Sequence, residues 1–306
     1  MNCLVTGGAG FIGSHLAEAL VLAGHRVTVV DDLSTGKLHN LKHFEADVHF
    51  VRGDIRDYDV LRRVMRGVEV VFHQAAIASV TRSVEDPIGT DAVNVGGTVT
   101  VLAAAKESGV RKVVFASSAA IYGDDPELPK REEMPPRPQS PYAFHKLAGE
   151  HYGRLFHQLY GLSFVALRYF NVFGPRQDPS SPYSGVISIF LDRFKAGRAY
   201  TIYGDGTQSR DFIYVEDVVR ANLAAAVTEF DQVPVINVAR GEAHTLLQVV
   251  AVLKELAQSD RDPEFGPERV GDIKHSRADT TRLRTWLGVE PQIGLAEGLR
   301  RLWEST

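Results

Sequence analysis

The stretch VTGGAGFIGSHLAEAL, residues 5–20, constrains this chain more than any other. An apolar, strand-like run ends in glycines, and an amphipathic helical pattern opens directly behind them. Gly7, Gly10 and Gly13 are spaced three apart, and Gly8, Gly10 and Gly13 also satisfy G-x-G-x-x-G. Glycine there permits a tight turn and lets a pyrophosphate approach the helix N-terminus, where backbone N–H groups favour an anion. Glycine-rich turns are common in loops that bind nothing. Here strand, turn and helix stand in the required order. An acidic residue, Asp31, also ends the next strand eighteen positions after Gly13, where a ribose 2′-hydroxyl would be held. The expectation is a dinucleotide site. Asp31 and Asp32 would repel a 2′-phosphate and no arginine stands beside them in sequence, so NAD is expected rather than NADP. Asp54, after the third strand, has two readings that spacing cannot separate: a contact to the adenine edge, or the N-cap of the following helix.

Strands and helices keep alternating beyond the turn. NCLVTG, RVTVVDD, VHFVRGD, EVVFHQA, RKVVFASS and SFVALRYF are separated by helical patterns near 11–23, 57–66, 91–107 and 141–160. Short β-branched runs between helices predict an α/β fold with a Rossmann-type doubly wound parallel sheet. After about residue 170 the regularity weakens, with helices near 186–196, 216–227, 245–257, 279–287 and 295–303. That predicts a smaller mixed α/β substrate-binding lobe over the carboxyl edge of the sheet. The expected division is 1–170 for the dinucleotide-binding domain, with returning segments near 211–240, and 171–306 for the lobe. The proline-rich stretch 126–138 reads as a surface loop.

Composition narrows the function. With 306 residues, 44% of them hydrophobic, the chain suits one large unit or two closely joined lobes. A net charge of −4 without a basic cluster argues against a nucleic-acid partner. No apolar run approaches the ~20 residues of a membrane span, so no membrane partner is expected. MNCLVTGG has no charged n-region, so no export is expected. The single cysteine, Cys3, permits no internal disulfide or cysteine metal cluster and reads as a buried thiol; no metal site is expected. Together these point to a cytoplasmic protein.

SPYAFHKLAG, residues 140–149, supplies candidate chemistry. Ser140 suits an N-cap and Pro141 the first helical position. Tyr142 and Lys146 then share one helix face. An ammonium beside a phenol favours the phenolate, so the tyrosine pKa is expected to fall below about 10, giving a base usable near neutrality. Alone, the pair is equally an ordinary surface pair.

TGGAGFIGSHL, DDLSTG, FHQAA, NVGGT, SSAAIYGD, YAFHK, LRYFNVFGPRQ and GDGTQSRDFIYVEDV occur in this order. From residue 1 to about 285 the chain resembles the extended short-chain dehydrogenase/reductase family, and within it the NAD-dependent UDP-hexose 4-epimerases, especially the branch acting on UDP-N-acetylglucosamine. The resemblance implies NAD as a retained cofactor and a UDP-sugar substrate. It implies that Tyr142 takes the proton of the sugar 4-hydroxyl, that Ser118 holds that oxygen, and that Lys146 lowers the phenol pKa while a 4-keto sugar forms and turns over. A strand-end serine such as Ser118 is by itself more often a cap.

The resemblance further implies cofactor contacts from Gly7, Gly10, Phe11, Ile12, Gly13, Asp31, Asp32, Ser34, Gly36, Asp54, Ile55, Gln74, Ala75, Ala76, Asn94, Tyr142, Lys146 and Tyr169. For the substrate it implies Ser79, Ser118, Asn171, Val186, Thr201, Tyr203, Arg210, Arg269, Asp272 and Ser276. Ser276 falls at the family's gatekeeper position, where a small residue resembles forms that accept 2-acetamido sugars. Paired helices 91–107 and 141–160 imply a homodimer. Related 4,6-dehydratases and decarboxylases carry acids after the catalytic Ser or Thr, where this chain has Ala119 and Ala120. A catalytically inactive NAD-binding protein is the remaining alternative.

Overall fold

The computed structural model describes residues 1–178, 185–268 and 273–305. The strands are β1 (Asn2–Thr6), β2 (Arg26–Asp31), β3 (Val48–Arg52), β4 (Val70–His73), β5 (Lys112–Ser118), β6 (Ser163–Tyr169), β7 (Asn171–Phe173), β8 (Thr201–Tyr203), β9 (Ser209–Tyr214), β10 (Val235–Val238), β11 (Ala243–Thr245) and β12 (Glu264–Gly266). The helices are α1 (Phe11–Leu22), α2 (Tyr58–Val64), α3 (Val80–Glu85), α4 (Pro87–Asp91), α5 (Thr98–Glu107), α6 (Pro141–Tyr160), α7 (Val186–Lys195), α8 (Val215–Val227), α9 (Leu246–Ala257), α10 (Thr281–Leu287) and α11 (Leu295–Ser305). Seven strands form one sheet in the order β10-β6-β5-β4-β1-β2-β3, and every pairing in it is parallel. The doubly wound expectation is met. Strand order reverses between β1 and β4, and ligands of such sheets bind outside the strand carboxyl ends at that crevice.

Strand alternation divides the core. Cys3, Val5 and Val29 face one side with Leu16 and Leu20 of α1, while Leu4, Val30, Val71 and Val113 face the other with Leu102 of α5. Cys3 is buried, and burial pushes its thiol up to about 11. A smaller mixed sheet, β11-β9-β7, carries one antiparallel and one parallel pairing. Phe173, Phe190, Phe212, Leu253 and Leu299 pack there with α7, α9 and α11.

The structure amends three expectations. The helix expected from 91 starts at Pro87, because Asp86 accepts the Gly89 N–H at 2.9 Å and proline suits the first turn. A π-turn over Ala92–Gly97 makes it continuous to Glu107. This helix has 21 residues, and its most apolar 18-residue window has a mean hydropathy of 1.2. By length and composition that is enough to cross a membrane, where no such run was expected. Its Val101, Leu102, Ala104 and Ala105 instead pack into the core. The stretch 126–138 is no mere surface loop: Lys130 and Met134 are buried, and the Lys130 backbone pairs with Arg277 O and Asp279 N, both at 2.8 Å.

Candidate active site

A cavity of about 1100 Å³ lies at the carboxyl ends of the strands. One end is the glycine turn. A Cβ on Gly7, whose φ is +68°, would fall 2.7 Å from the Ala75 backbone, and one on Gly13 would fall 2.1 Å from Gly7 O. Side chains are therefore excluded, and bare backbone with the start of α1 faces the cavity, as a pyrophosphate requires. Phe11, Ile12, Asp31, Asp32, Ser34, Gly36, Asp54, Ile55, Gln74, Ala75 and Ala76 line the same cavity with Gly7, Gly10 and Gly13.

The acidic side chains there are held by their surroundings. Asp31 accepts the backbone N–H groups of Ala9 at 3.0 Å and Leu33 at 2.8 Å. Burial raises its pKa, and those two bonds oppose the rise. Asp54 does not cap α2; Asp57 does, accepting from Val60 N at 3.0 Å. Asp54 instead pairs with Arg56, which lowers its pKa. Arg56 and Lys37 thus bring cations to the end where the sequence shows no neighbouring arginine. Both are occupied, Arg56 by Asp54 and Lys37 by Asp178 at 2.6 Å.

At the other end stand Ser118, Tyr142, Lys146 and Tyr169. Helix α6 begins as expected, with Ser140 Oγ accepting Ala143 N–H at 3.2 Å and Pro141 in the first turn. Ser83 of α3 takes the Tyr142 N–H at 3.0 Å, so a second hydroxyl fixes that turn. Ser118 ends β5; its Oγ accepts the Ala120 N–H at 3.2 Å, and its hydroxyl favours the ionised form of Tyr142. Lys146 is buried, and its Nζ donates to Ala116 O at 2.7 Å.

The expected fall in the Tyr142 pKa is not met. Desolvation raises it, with only the Ser118 hydrogen bond opposing. The Lys146 ammonium sits 5.9 Å from the Tyr142 ring centroid, turned to a carbonyl, and burial lowers its own pKa to about 8.

Several predicted residues lie elsewhere. Asn94 is buried and braces the wall from behind, accepting Ile77 N–H at 2.8 Å and donating to Ile77 O at 3.1 Å. In the lobe, Asn171 donates to Asp211 O at 3.3 Å, and Val186 packs into the lobe's apolar cluster. Thr201 and Tyr203 lie on β8, with Tyr203 exposed. Arg210 donates to Ser209 O at 3.0 Å, and Ser276 N–H donates to the same oxygen at 3.0 Å. None of these lines the cavity, whereas Ser79 does. Arg269 and Asp272 lie outside the described residues. Sequence reasoning missed Arg82 and Arg176 in the lining. Arg176 reaches back from the lobe to Glu18 of α1 at 2.5 Å, a link that no spacing reveals.

Comparison with known proteins agrees with this geometry. The model of the family described as "NAD dependent epimerase/dehydratase family" matches residues 3–239. A UDP-glucose 4-epimerase of Mycolicibacterium smegmatis is 43% identical over 313 residues, covering 99% of this chain and 98% of that protein. The Thermotoga maritima UDP-glucose 4-epimerase, solved with UDP-glucose, superposes with a TM-score of 0.95 at 41% identity, covering 100% of this chain and 98% of its own. The UDP-N-acetylglucosamine 4-epimerase of Methanobrevibacter ruminantium, solved with UDP-N-acetylmuramic acid, gives 0.95 at 42%, with 99% and 97% covered.

Proposed function

The chain belongs to the NAD dependent epimerase/dehydratase family, and from that premise we propose that it interconverts C4 epimers of UDP-sugars, N-acetylated hexoses among them. It is a UDP-hexose 4-epimerase, an isomerase that uses NAD. The carrying observation is that one cavity holds the glycine turn at one end and Ser118, Tyr142 and Lys146 at the other. Gly7, Gly10, Gly13 and Asp31 are the residues that would hold the dinucleotide. NAD supplies, when bound, a reversible hydride acceptor for the sugar C4.

The assigned roles follow from the residues' chemistry. Tyr142 Oη takes the proton of the 4-hydroxyl and returns it. Ser118, whose hydroxyl favours the Tyr142 phenolate, holds the sugar oxygen. Lys146 adds positive charge that favours the phenolate and works against desolvation. Inversion requires the keto sugar to turn within the pocket, so the nucleotide must be gripped and the hexose left loose. Arg210, Arg269 and Asp272 are assigned to that grip.

Two serines support the wider sugar range. Ser79 is buried in the cavity wall, and its Oγ already accepts the Arg82 N–H at 3.0 Å. Its hydroxyl hydrogen remains to be given to an acetamido oxygen. Ser276, which the resemblance puts at the family's gatekeeper position, does not itself line the cavity; a tyrosine there would need room at the cavity's edge, and overfilling costs about 1–3 kcal/mol. The test is turnover of UDP-glucose and UDP-N-acetylglucosamine by wild type and Ser276→Tyr. The variant should lose the second activity and keep the first; an unchanged ratio sinks the sugar assignment.

The same reading makes the enzyme a cytoplasmic homodimer. Supporting the dimer, Phe144, Leu155 and Leu159 of α6 are 57%, 47% and 67% exposed and lie in one helical stripe, and Val84 and Ile88, on helices that contact α6, are exposed too.

A further inference from the structure

Glu150 follows Tyr142 and Lys146 on the same face of α6, each four residues from the last. It is 1% exposed, and its carboxylate is fully engaged. Oε1 accepts from Ser117 Oγ at 2.6 Å and from Arg168 Nε at 2.8 Å, and Oε2 accepts from Arg168 Nη2 at 2.8 Å. Ser117 and Arg168 are 3% and 2% exposed and face each other across the β5–β6 pairing. The next rung of that ladder is Ser118 opposite Tyr169. One carboxylate therefore binds together the strand end that carries Ser118, the strand end that carries Tyr169 and the helix that carries Tyr142 and Lys146.

Behind it the arrangement is braced again. The Arg168 guanidinium lies 4.9 Å from the Tyr122 ring centroid, and Tyr122 Oη donates to Asn237 Oδ1 at 2.6 Å. Arg168 Nη1 has no hydrogen-bond acceptor among the described residues. Stability alone does not call for charges here, because a buried ion pair is commonly matched or exceeded by apolar residues of similar volume. What the bidentate, directional pair adds is geometry.

We propose that Glu150 is a positioning residue whose carboxylate sets the distance between Ser118 and the Tyr142–Lys146 face, and so governs turnover rather than substrate binding. The inference rests on the epimerase reading above. The experiment replaces the pair with apolar residues, Glu150→Leu/Arg168→Met, and reads melting temperature, retained NAD, KM and kcat for UDP-glucose. A folded, NAD-loaded double variant should lose about a hundredfold in kcat, the scale of a 1 Å misplacement, with KM within about threefold of wild type. A kcat within about threefold of wild type in that variant overturns the proposal.

Should the double variant fail to fold, Ser117→Ala decides. It removes one bond to the carboxylate and leaves the ion pair intact. Its kcat should fall about tenfold, the scale of one hydrogen bond to a charged group, and Ser117→Thr, which keeps the hydroxyl, should recover it. Wild-type kcat from Ser117→Ala overturns the role. Wild-type protein without turnover on any UDP-sugar would sink the function itself, whereas turnover alike in wild type and variants would sink only the role of Glu150.

Discussion

Tyr142 is pulled in two directions: desolvation holds its proton on, and the Ser118 hydroxyl draws it off, while the Lys146 ammonium stands 5.9 Å from its ring centroid. Tyr142→Phe removes only the ionisable oxygen. It should keep the fold and the bound NAD and lose nearly all turnover, with Ser118→Ala losing less, about 10²–10³-fold. More than a few per cent of wild-type rate in the phenylalanine variant would displace Tyr142 as the base. Lys146 gives a separate pH test. A unit charge about 6 Å away at an effective dielectric near 20 is worth about 3 kcal/mol, or about two pH units. The base works deprotonated, so kcat should rise with pH, and Lys146→Met should move that acid limb upward by up to about two units. The comparison belongs below pH 8, because Lys146 itself loses its proton near there. A limb that stays in place removes Lys146 from the tuning of the phenol. Spacing places Tyr142 and Lys146 on one helix face, and the motifs around them single the pair out. The sign of the phenol's shift is not legible there, because it is set by desolvation in the folded cavity.

Helix ends were the more readable part of the elements. Ser140 and Pro141 open α6, and Gly161, at φ +71°, closes it in the left-handed conformation that glycine adopts readily. The start at Pro87 carried an Asp-Pro signal too, yet EDPIG also reads as a turn; in the fold the Asp86 cap and packing against α6 hold it as a helix. The lobe's β7, β8, β11 and β12 have three residues each, too few to show a period of two. Apolar residues on α5 and α6 separate into two roles once placed. Val101 and Leu102 belong to the core and Phe156 packs against it, whereas Leu155 and Leu159 face outward. That outward stripe carries the dimer prediction. Wild type should sediment at twice 33.7 kDa at micromolar concentration, and Leu155→Glu/Leu159→Glu should sediment as a monomer with its far-UV spectrum unchanged. A wild-type monomer, or a charged variant that still dimerises, would remove this stripe from the interface.

At the scale of the whole molecule, the switch point of the sheet is tied together by one buried imidazole. Thr6 and His73 are partners in the β1–β4 pairing. His73 Nδ1 lies 2.8 Å from Thr6 Oγ1, and Nε2 lies 3.0 Å from Thr98 Oγ1. Thr98 donates to Asn94 O at 2.6 Å, so it must accept from Nε2–H; Nδ1 then accepts from Thr6, whose oxygen takes the Ala75 N–H at 3.3 Å. This directed chain crosses β1, β4 and α5, and it requires neutral histidine. FHQAA reveals the residue but not the chain, because its partners lie 67 and 25 positions away. Burial, and then the charge of Lys146, lowers the His73 pKa to about 3. In the unfolded chain it is near 6.5, so below that pH the unfolded state binds the extra proton. The histidine's contribution is therefore complete above about pH 6.5 and is lost progressively as pH falls toward 3. Asp211 acts with the opposite sign, because burial raises its carboxyl to about 7 and the folded state holds that proton. The total stability curve mixes the two, and a single-site difference separates them. His73→Gln has no proton to gain and should be less stable than wild type at pH 7. Between pH 7 and pH 5 the gap should narrow by about 2 kcal/mol, read from urea unfolding at each pH. A gap that stays constant over that interval would mean that His73 takes up a proton in the folded protein as readily as in the unfolded chain, and the directed chain at the switch point would have to be redrawn.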